Sequence, residues 1–170
     1  MNSFWGNIFK SRENEQDDIL TILKKIPIFR DLNNRDLNRV ERILHRREYR
    51  QDEIIFHQGD PGLGMYIIES GLVSIVLMPA QLTIAELYEG EFFGELSLLD
   101  DSPRTATAVA KTPCKMLCLF QPDLFDLIDL DSRLGVKILL GLSRTIGERL
   151  KRTNEHVHIL KCLKIQPETP

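Results

Sequence analysis

A glycine, a glutamate and an arginine stand close together in FGELSLLDDSPRTAT (residues 93–107), inside an otherwise apolar run. A charge drawn into such a setting is costly unless an opposite charge or a hydrogen-bonding partner satisfies it. Two partners suit these residues: each other, or a small anionic ligand. Gly94 lets a ligand come close to the backbone. Glu95 offers a carboxylate to a sugar hydroxyl, and GELSLLD can form one helical turn whose first N–H groups donate to an anion. Pro103 stiffens the approach to Arg104, whose planar fork matches two oxygens of a singly charged phosphodiester. Taken alone, the residues leave this site and an internal Glu95–Arg104 ion pair equally open.

The flanking segments must position this stretch. From about Glu48 to Phe120 the chain reads as short strands: EIIF, MYIIE, LVSIVL, LTIAEL, TATAVA and KMLCLF. All are rich in β-branched or apolar residues. HQGDPGLG, Gly71 and EGE at 89–91 supply turn chemistry between them. Short strands so spaced predict a sandwich or barrel, not a parallel sheet. Upstream, Leu20, Ile22 and Leu23 precede the loop KIPIFRDLNN, and Asn33 or Asn34 can cap a helix carrying Leu37, Val40, Ile43 and Leu44. Downstream, Pro122 suits the first turn of a short helix (Leu124, Phe125, Leu127, Ile128), and Ser132 can cap a longer one.

In that longer helix Leu139, Leu142, Ile146, Leu150, Thr153, Val157 and Leu160 recur every three or four residues, as in a heptad seam. About 30 helical residues run about 45 Å, too far to lie wholly on a small β-domain. The seam therefore predicts a homodimer in preference to packing on its own domain. Gly135, Gly141 and Gly147 either weaken the helix or admit a second backbone.

Bulk properties remove several classes. The chain has 170 residues and a formal net charge of −3, which fits one globular domain and gives no global reason for nucleic-acid binding. Arg144, Arg149, Lys151, Arg152, Lys161 and Lys164 read as a solvated helix face. No apolar run approaches the roughly 18 residues of a membrane helix, and MNSFWGNIFKSRENEQDD lacks a secretory core. A cytoplasmic location is expected. Cys114 and Cys118 stand about 13 Å apart along a strand, beyond disulfide reach, and three unmatched thiols suit a reducing compartment. His158 and Cys162 share a helical face but fall short of a zinc site, so no metal is expected. Phe4, Trp5, Ile8 and Phe9 form i, i+4 pairs, read as folding back on the domain in preference to docking on a partner. Catalysis finds no support either. His57 is the one histidine in the strand region, where a metal-dependent β-roll enzyme needs several, and no Ser–His or Cys–His nucleophile arrangement emerges.

GEFFGELSLLDDSPRTATAVA resembles the phosphate-binding cassette of the cyclic nucleotide-binding domain family, to which the bacterial catabolite activator and the regulatory subunit of cyclic-AMP-dependent protein kinase belong. The resemblance runs through IPIFRDL and IIFHQGDPGLGMYIIESGLVSI and covers roughly residues 20 to 160. It implies a mainly β fold: a β-roll of jelly-roll type with N-terminal helices and a long C-terminal helix. The domain would span residues 17–163, between tails at 1–16 and 164–170. It also implies that Glu95 holds the ribose 2′-hydroxyl and Arg104 the exocyclic phosphate oxygens. Backbone N–H groups of Gly94, Leu96 and Ser97 would complete the cradle. Thr105 matches a position that meets phosphate or the guanine amino group. LSRTIGERLKRTNEHV resembles the activator's dimerisation helix, placing Thr153 and Asn154 near the base, although Asn154 replaces the usual serine.

About ten residues follow Leu160, where activator-type members carry a helix-turn-helix domain. The expectation is therefore no DNA reading and no integral membrane segment. What remains is a non-catalytic, dimeric cyclic-nucleotide sensor, with cyclic AMP favoured over cyclic GMP, signalling to a separate protein. No cofactor beyond the nucleotide is implied. The competing reading is a dimeric scaffold that keeps the fold without the ligand.

Overall fold

The computed structural model describes residues 19–164. The segment carrying Phe4, Trp5, Ile8 and Phe9 lies outside them, as do the side chains of Leu160 and Cys162.

Eight strands form two four-stranded antiparallel sheets. They are β1 (Leu44–Tyr49), β2 (Ile54–Phe56), β3 (Gly64–Ser70), β4 (Val73–Leu77), β5 (Leu82–Leu87), β6 (Phe92–Phe93), β7 (Thr107–Ala110) and β8 (Cys114–Phe120). One sheet runs β1-β8-β3-β6 and the other β2-β7-β4-β5. The first is a middle layer, and the two-residue period of a strand shows why. Met65 and Ile67 of β3, with Leu117 and Leu119 of β8, face a helical layer with Leu23, Phe29, Leu37 and Ile138. Tyr66, Ile68, Met116 and Cys118 face the second sheet with Val73, Ala108 and Ala110. Strands buried on both faces read as continuous apolar runs, which is how MYIIE and KMLCLF stood out. Cys114 and Cys118 are both free and buried, and burial pushes the Cys118 thiol up to about 12.

The helical layer begins with a helical segment at residues 19–25 and a 3-10 turn, Pro27–Phe29. Helix α1 (Asn34–Glu41) is capped by Asn33, whose side chain accepts the Asp36 N–H at 2.9 Å. Leu37 and Val40 are buried as expected, but Ile43 and Leu44 do not extend this helix. It stops at Glu41, and Leu44 already opens β1, paired in register with Leu119. The strands thus begin earlier than Glu48. Helix α2 (Gln121–Leu130) has Pro122 in its first turn.

Helix α3 (Ser132–Lys164) is 33 residues long. Its cap is Asp131 and not Ser132: the Asp131 carboxylate accepts the Leu134 N–H at 3.1 Å. Leu134, Ile138 and Leu142 are buried in the chain's own core, and Ile146 packs against it. Leu142 and Ile146 therefore belong to the domain and not to an outward seam. Gly141 does admit a close backbone, but that of Ile28: a Cβ at Gly141 would lie 2.0 Å from the Ile28 carbonyl oxygen. Glycine is required there because nothing larger fits beneath the 3-10 turn. From Leu150 to Ile159 every residue is exposed. A second stripe with spacing four and three lies on the opposite face: Val136, Leu140, Ser143, Gly147, Leu150, Asn154, Val157 and Lys161. Its large members Val136, Leu140, Leu150 and Val157 are all open to solvent. Among the described residues no helix is long and apolar enough to cross a membrane.

Candidate functional site

β6 ends at Phe93, and the chain turns through Gly94 into a 3-10 helix, Glu95–Leu98. Gly94 has φ +75°, and a Cβ there would sit 2.6 Å from Arg104 Nη1, so glycine is needed both for the turn and for the arginine. This short helix, the loop to Pro103 and the wall of the second sheet enclose a cavity of about 540 Å³.

Arg104 is the centre of it. Nη1 donates to Ser97 Oγ at 2.9 Å and to the Gly94 carbonyl at 3.3 Å, and Nη2 donates to the Gly64 carbonyl at 2.8 Å. All three acceptors are neutral, and no carboxylate forms an ion pair with Arg104 among the described residues. Nε is buried without a partner. Nε–H is thus a spare donor at the edge of the guanidinium, of the kind that a bidentate contact to an anion recruits. Burial pulls the guanidinium below its ordinary pKa, partly offset by Tyr66 and Asp60. The backbone around it is clasped by the glycine-rich loop: Gly59 N–H donates to the Arg104 carbonyl (2.9 Å), and Arg104 N–H donates to the Asp60 carbonyl (2.8 Å).

Glu95 is equally buried, at 6% exposure, but its partner is not Arg104. Glu95 Oε1 pairs with Arg149 Nη1 of α3 at 2.7 Å. Arg149 also donates to the Phe92 carbonyl at 2.9 Å and lies over the Phe92 ring at 4.4 Å. The internal Glu95–Arg104 pair is thereby replaced, and Arg149, expected on a solvated face, becomes the tie between α3 and the cassette. Spacing could not reveal this, since Glu95 and Arg149 are far apart in the chain.

Six of the expected residues line the one cavity: Gly94, Glu95, Leu96, Ser97, Arg104 and Thr105. Ser97 enters through its hydroxyl, because its backbone N–H already donates to the Gly94 carbonyl at 3.2 Å. Thr153 and Asn154 are exposed and do not line the cavity; the Thr153 hydroxyl donates to the Arg149 carbonyl within its own helix at 3.0 Å. The helix contributes Arg149 and Arg152 instead. Phe56, Ile75, Ala85 and Leu87 form an apolar wall that no sequence motif marked.

Comparison with known proteins places this geometry in a family. The profile described as "Cyclic nucleotide-binding domain" matches residues 46–131, half of the chain. The chain belongs to the cyclic nucleotide-binding domain family. It is 38% identical over 141 residues to a cyclic AMP receptor protein of Thermus thermophilus, an alignment covering 81% of this chain and 63% of that protein. It is 33% identical over 97 residues to the cAMP-dependent protein kinase regulatory subunit of Colletotrichum orbiculare, covering 57% and 25% respectively. Among solved structures, a cyclic nucleotide-binding domain from Methylobacillus flagellatus superposes with a TM-score of 0.73 at 26% identity, covering 92% of this chain and 85% of that one. The chain thus spans less than two thirds of either curated relative.

Proposed function

We propose that the chain is a non-catalytic cyclic-nucleotide sensor, with cyclic AMP preferred over cyclic GMP, that signals to a separate protein. One observation carries the reading. Arg104 is a buried cation with neutral hydrogen-bond acceptors and an unused Nε–H, and it lines the cavity. A buried cation without an anion is costly, and a cyclic phosphate supplies a single negative charge with two exocyclic oxygens. Ser97 and the first amides of the 3-10 helix complete the cradle. Glu95 Oε1 already accepts from Arg149, yet a carboxylate has about four acceptor sites, so a ribose hydroxyl can join it. The preference for cyclic AMP is supported by what the two curated relatives are named for.

Thr153 and Asn154 meet the base only when the outer half of α3 swings toward the cavity. A ligand drives such a shift by binding one arrangement more tightly than the other. The exposed stripe from Val136 to Lys161 is the surface through which two copies pair, with Ser143 and Gly147 at its centre allowing close approach.

The test is calorimetric titration of nucleotide-stripped protein with cyclic AMP and cyclic GMP. Saturable binding at micromolar or lower concentration is expected. Arg104→Leu removes two charge-assisted bonds and weakens binding by about 3–5 kcal/mol, roughly two to four orders of magnitude. Arg104→Lys recovers part of it, because a point charge cannot reproduce the fork. Silence with both nucleotides, together with an Arg104→Leu effect confined to thermal unfolding, would establish the scaffold.

A further inference from the structure

The acceptors around Arg104 hold its two terminal nitrogens by their edges: Ser97 Oγ, the Gly94 carbonyl and the Gly64 carbonyl. Edge contacts do not by themselves stop a guanidinium from tilting out of its plane. The face is covered by Phe56, whose ring centroid lies 4.1 Å from Arg104 Cζ. That ring is itself braced against Tyr66 at 5.6 Å and Phe93 at 5.8 Å, which stack on each other at 5.3 Å.

β2 delivers Phe56 to this place by an irregularity. Ile54 pairs with Val109 and Phe56 with Ala108, so the register slips between them. A bulge re-aims the side chain that follows it. Ile54 is left exposed, whereas Phe56 is half-buried on the cavity wall. An aromatic face attracts the cation and excludes water without neutralising it, as a carboxylate would.

We infer that Phe56 is a positioning residue for Arg104, holding the guanidinium plane so that the Nε–H edge meets the anion in the cavity. The identity of that anion rests on the nucleotide reading above; the stack does not. Two measurements on the full-length chain test it. In the first, the Arg104 side-chain N–H resonances, assigned by their loss in Arg104→Lys, are recorded by NMR without added nucleotide. They should be displaced by the ring current of Phe56 and return toward free-arginine positions in Phe56→Leu. In the second, cyclic AMP and cyclic GMP are titrated into the variants. Phe56→Leu should weaken binding about tenfold, whereas Phe56→Tyr, which keeps the ring, should stay within about threefold of the parent. Undisplaced resonances in the parent overturn the inference. So do equal losses of affinity in the two variants that merely track their melting temperatures. If the parent binds neither nucleotide, the nucleotide reading falls and the resonances alone decide the stack.

Discussion

The two halves of α3 are one continuous helix in two environments. Between Leu134 and Leu142 it presents buried leucine and isoleucine to the middle sheet's helical layer, and Gly141 lets the Ile28 backbone settle on it. Beyond Arg149 it touches none of this, and its residues through Ile159 are exposed. Arg149 marks the border, anchored to Glu95 and the Phe92 carbonyl. Helical pattern alone does not separate the halves, since both carry apolar residues at three and four. What differs is which face the domain already occupies. The inner half is a wall of the fold, and the outer half projects from it, tied at its base to the cavity wall through Arg149, by the ion pair to Glu95 and the hydrogen bond to the Phe92 carbonyl.

Substitutions can break or sharpen that contrast. The largest effect is expected at Leu142, fully buried, where Leu142→Ala should cost about 2–5 kcal/mol in a denaturant titration. A loss under 1 kcal/mol would mean that the inner half is not core. Next comes Gly141→Ala, whose Cβ would meet the Ile28 carbonyl oxygen at 2.0 Å. It should destabilise by about 1–3 kcal/mol through overpacking. The same change at Gly147, where a Cβ meets nothing within 4 Å, should stabilise by about 0.5–1 kcal/mol in protein dilute enough to be monomeric. Opposite signs at these two glycines are the sharpest form of the comparison.

Charging the outer stripe with Leu150→Glu and Val157→Glu should leave monomer stability within about 0.5 kcal/mol while abolishing the proposed dimer in sedimentation. A dimer that persists would move the interface elsewhere. The smallest effect concerns the start of the inner half. The Leu134 N–H, with Arg39 beside it, holds the Asp131 carboxyl below the usual range. A carboxyl depressed on folding contributes stability above its unfolded value of about 3.9, and that contribution is lost as pH falls through the folded value. Asp131→Asn keeps an acceptor for the helix end and removes the titration. Its acid unfolding curve should therefore be flatter than the parent's below about pH 4; parallel curves would mean that the Asp131 charge contributes nothing to stability.

The sequence shows the strands and the cassette because their determinants are local. Residues 65–68 of MYIIE and 116–120 of KMLCLF are apolar in succession, since both faces are covered there, and Gly94 to Thr105 lie within one turn and one short loop. β1 is hidden in the sequence because LHRREY carries four charged or polar residues on an exposed sheet edge, so that Leu44 resembles the last turn of the preceding helix. The heptad spacing of α3 was legible but its phase was not, because phase depends on where Ile28 and the middle sheet meet the helix. Arg149, Phe56 and the Gly64 carbonyl were invisible for the same reason. Each reaches the site from a distant segment, by a path that only the fold defines.

The strand order has a consequence for how the chain acquires its fold. β1 pairs with β8 and β2 with β7, so the earliest strands wait for the latest ones. Among the described residues only β4–β5 closes as a local hairpin. Such long-range closures carry an entropic cost before any contact rewards them, and chains dominated by them fold slowly. Gly59 and Asp60 grip the Arg104 backbone across the same gap. The cavity around Arg104 therefore depends on the same long-range closures as the two sheets.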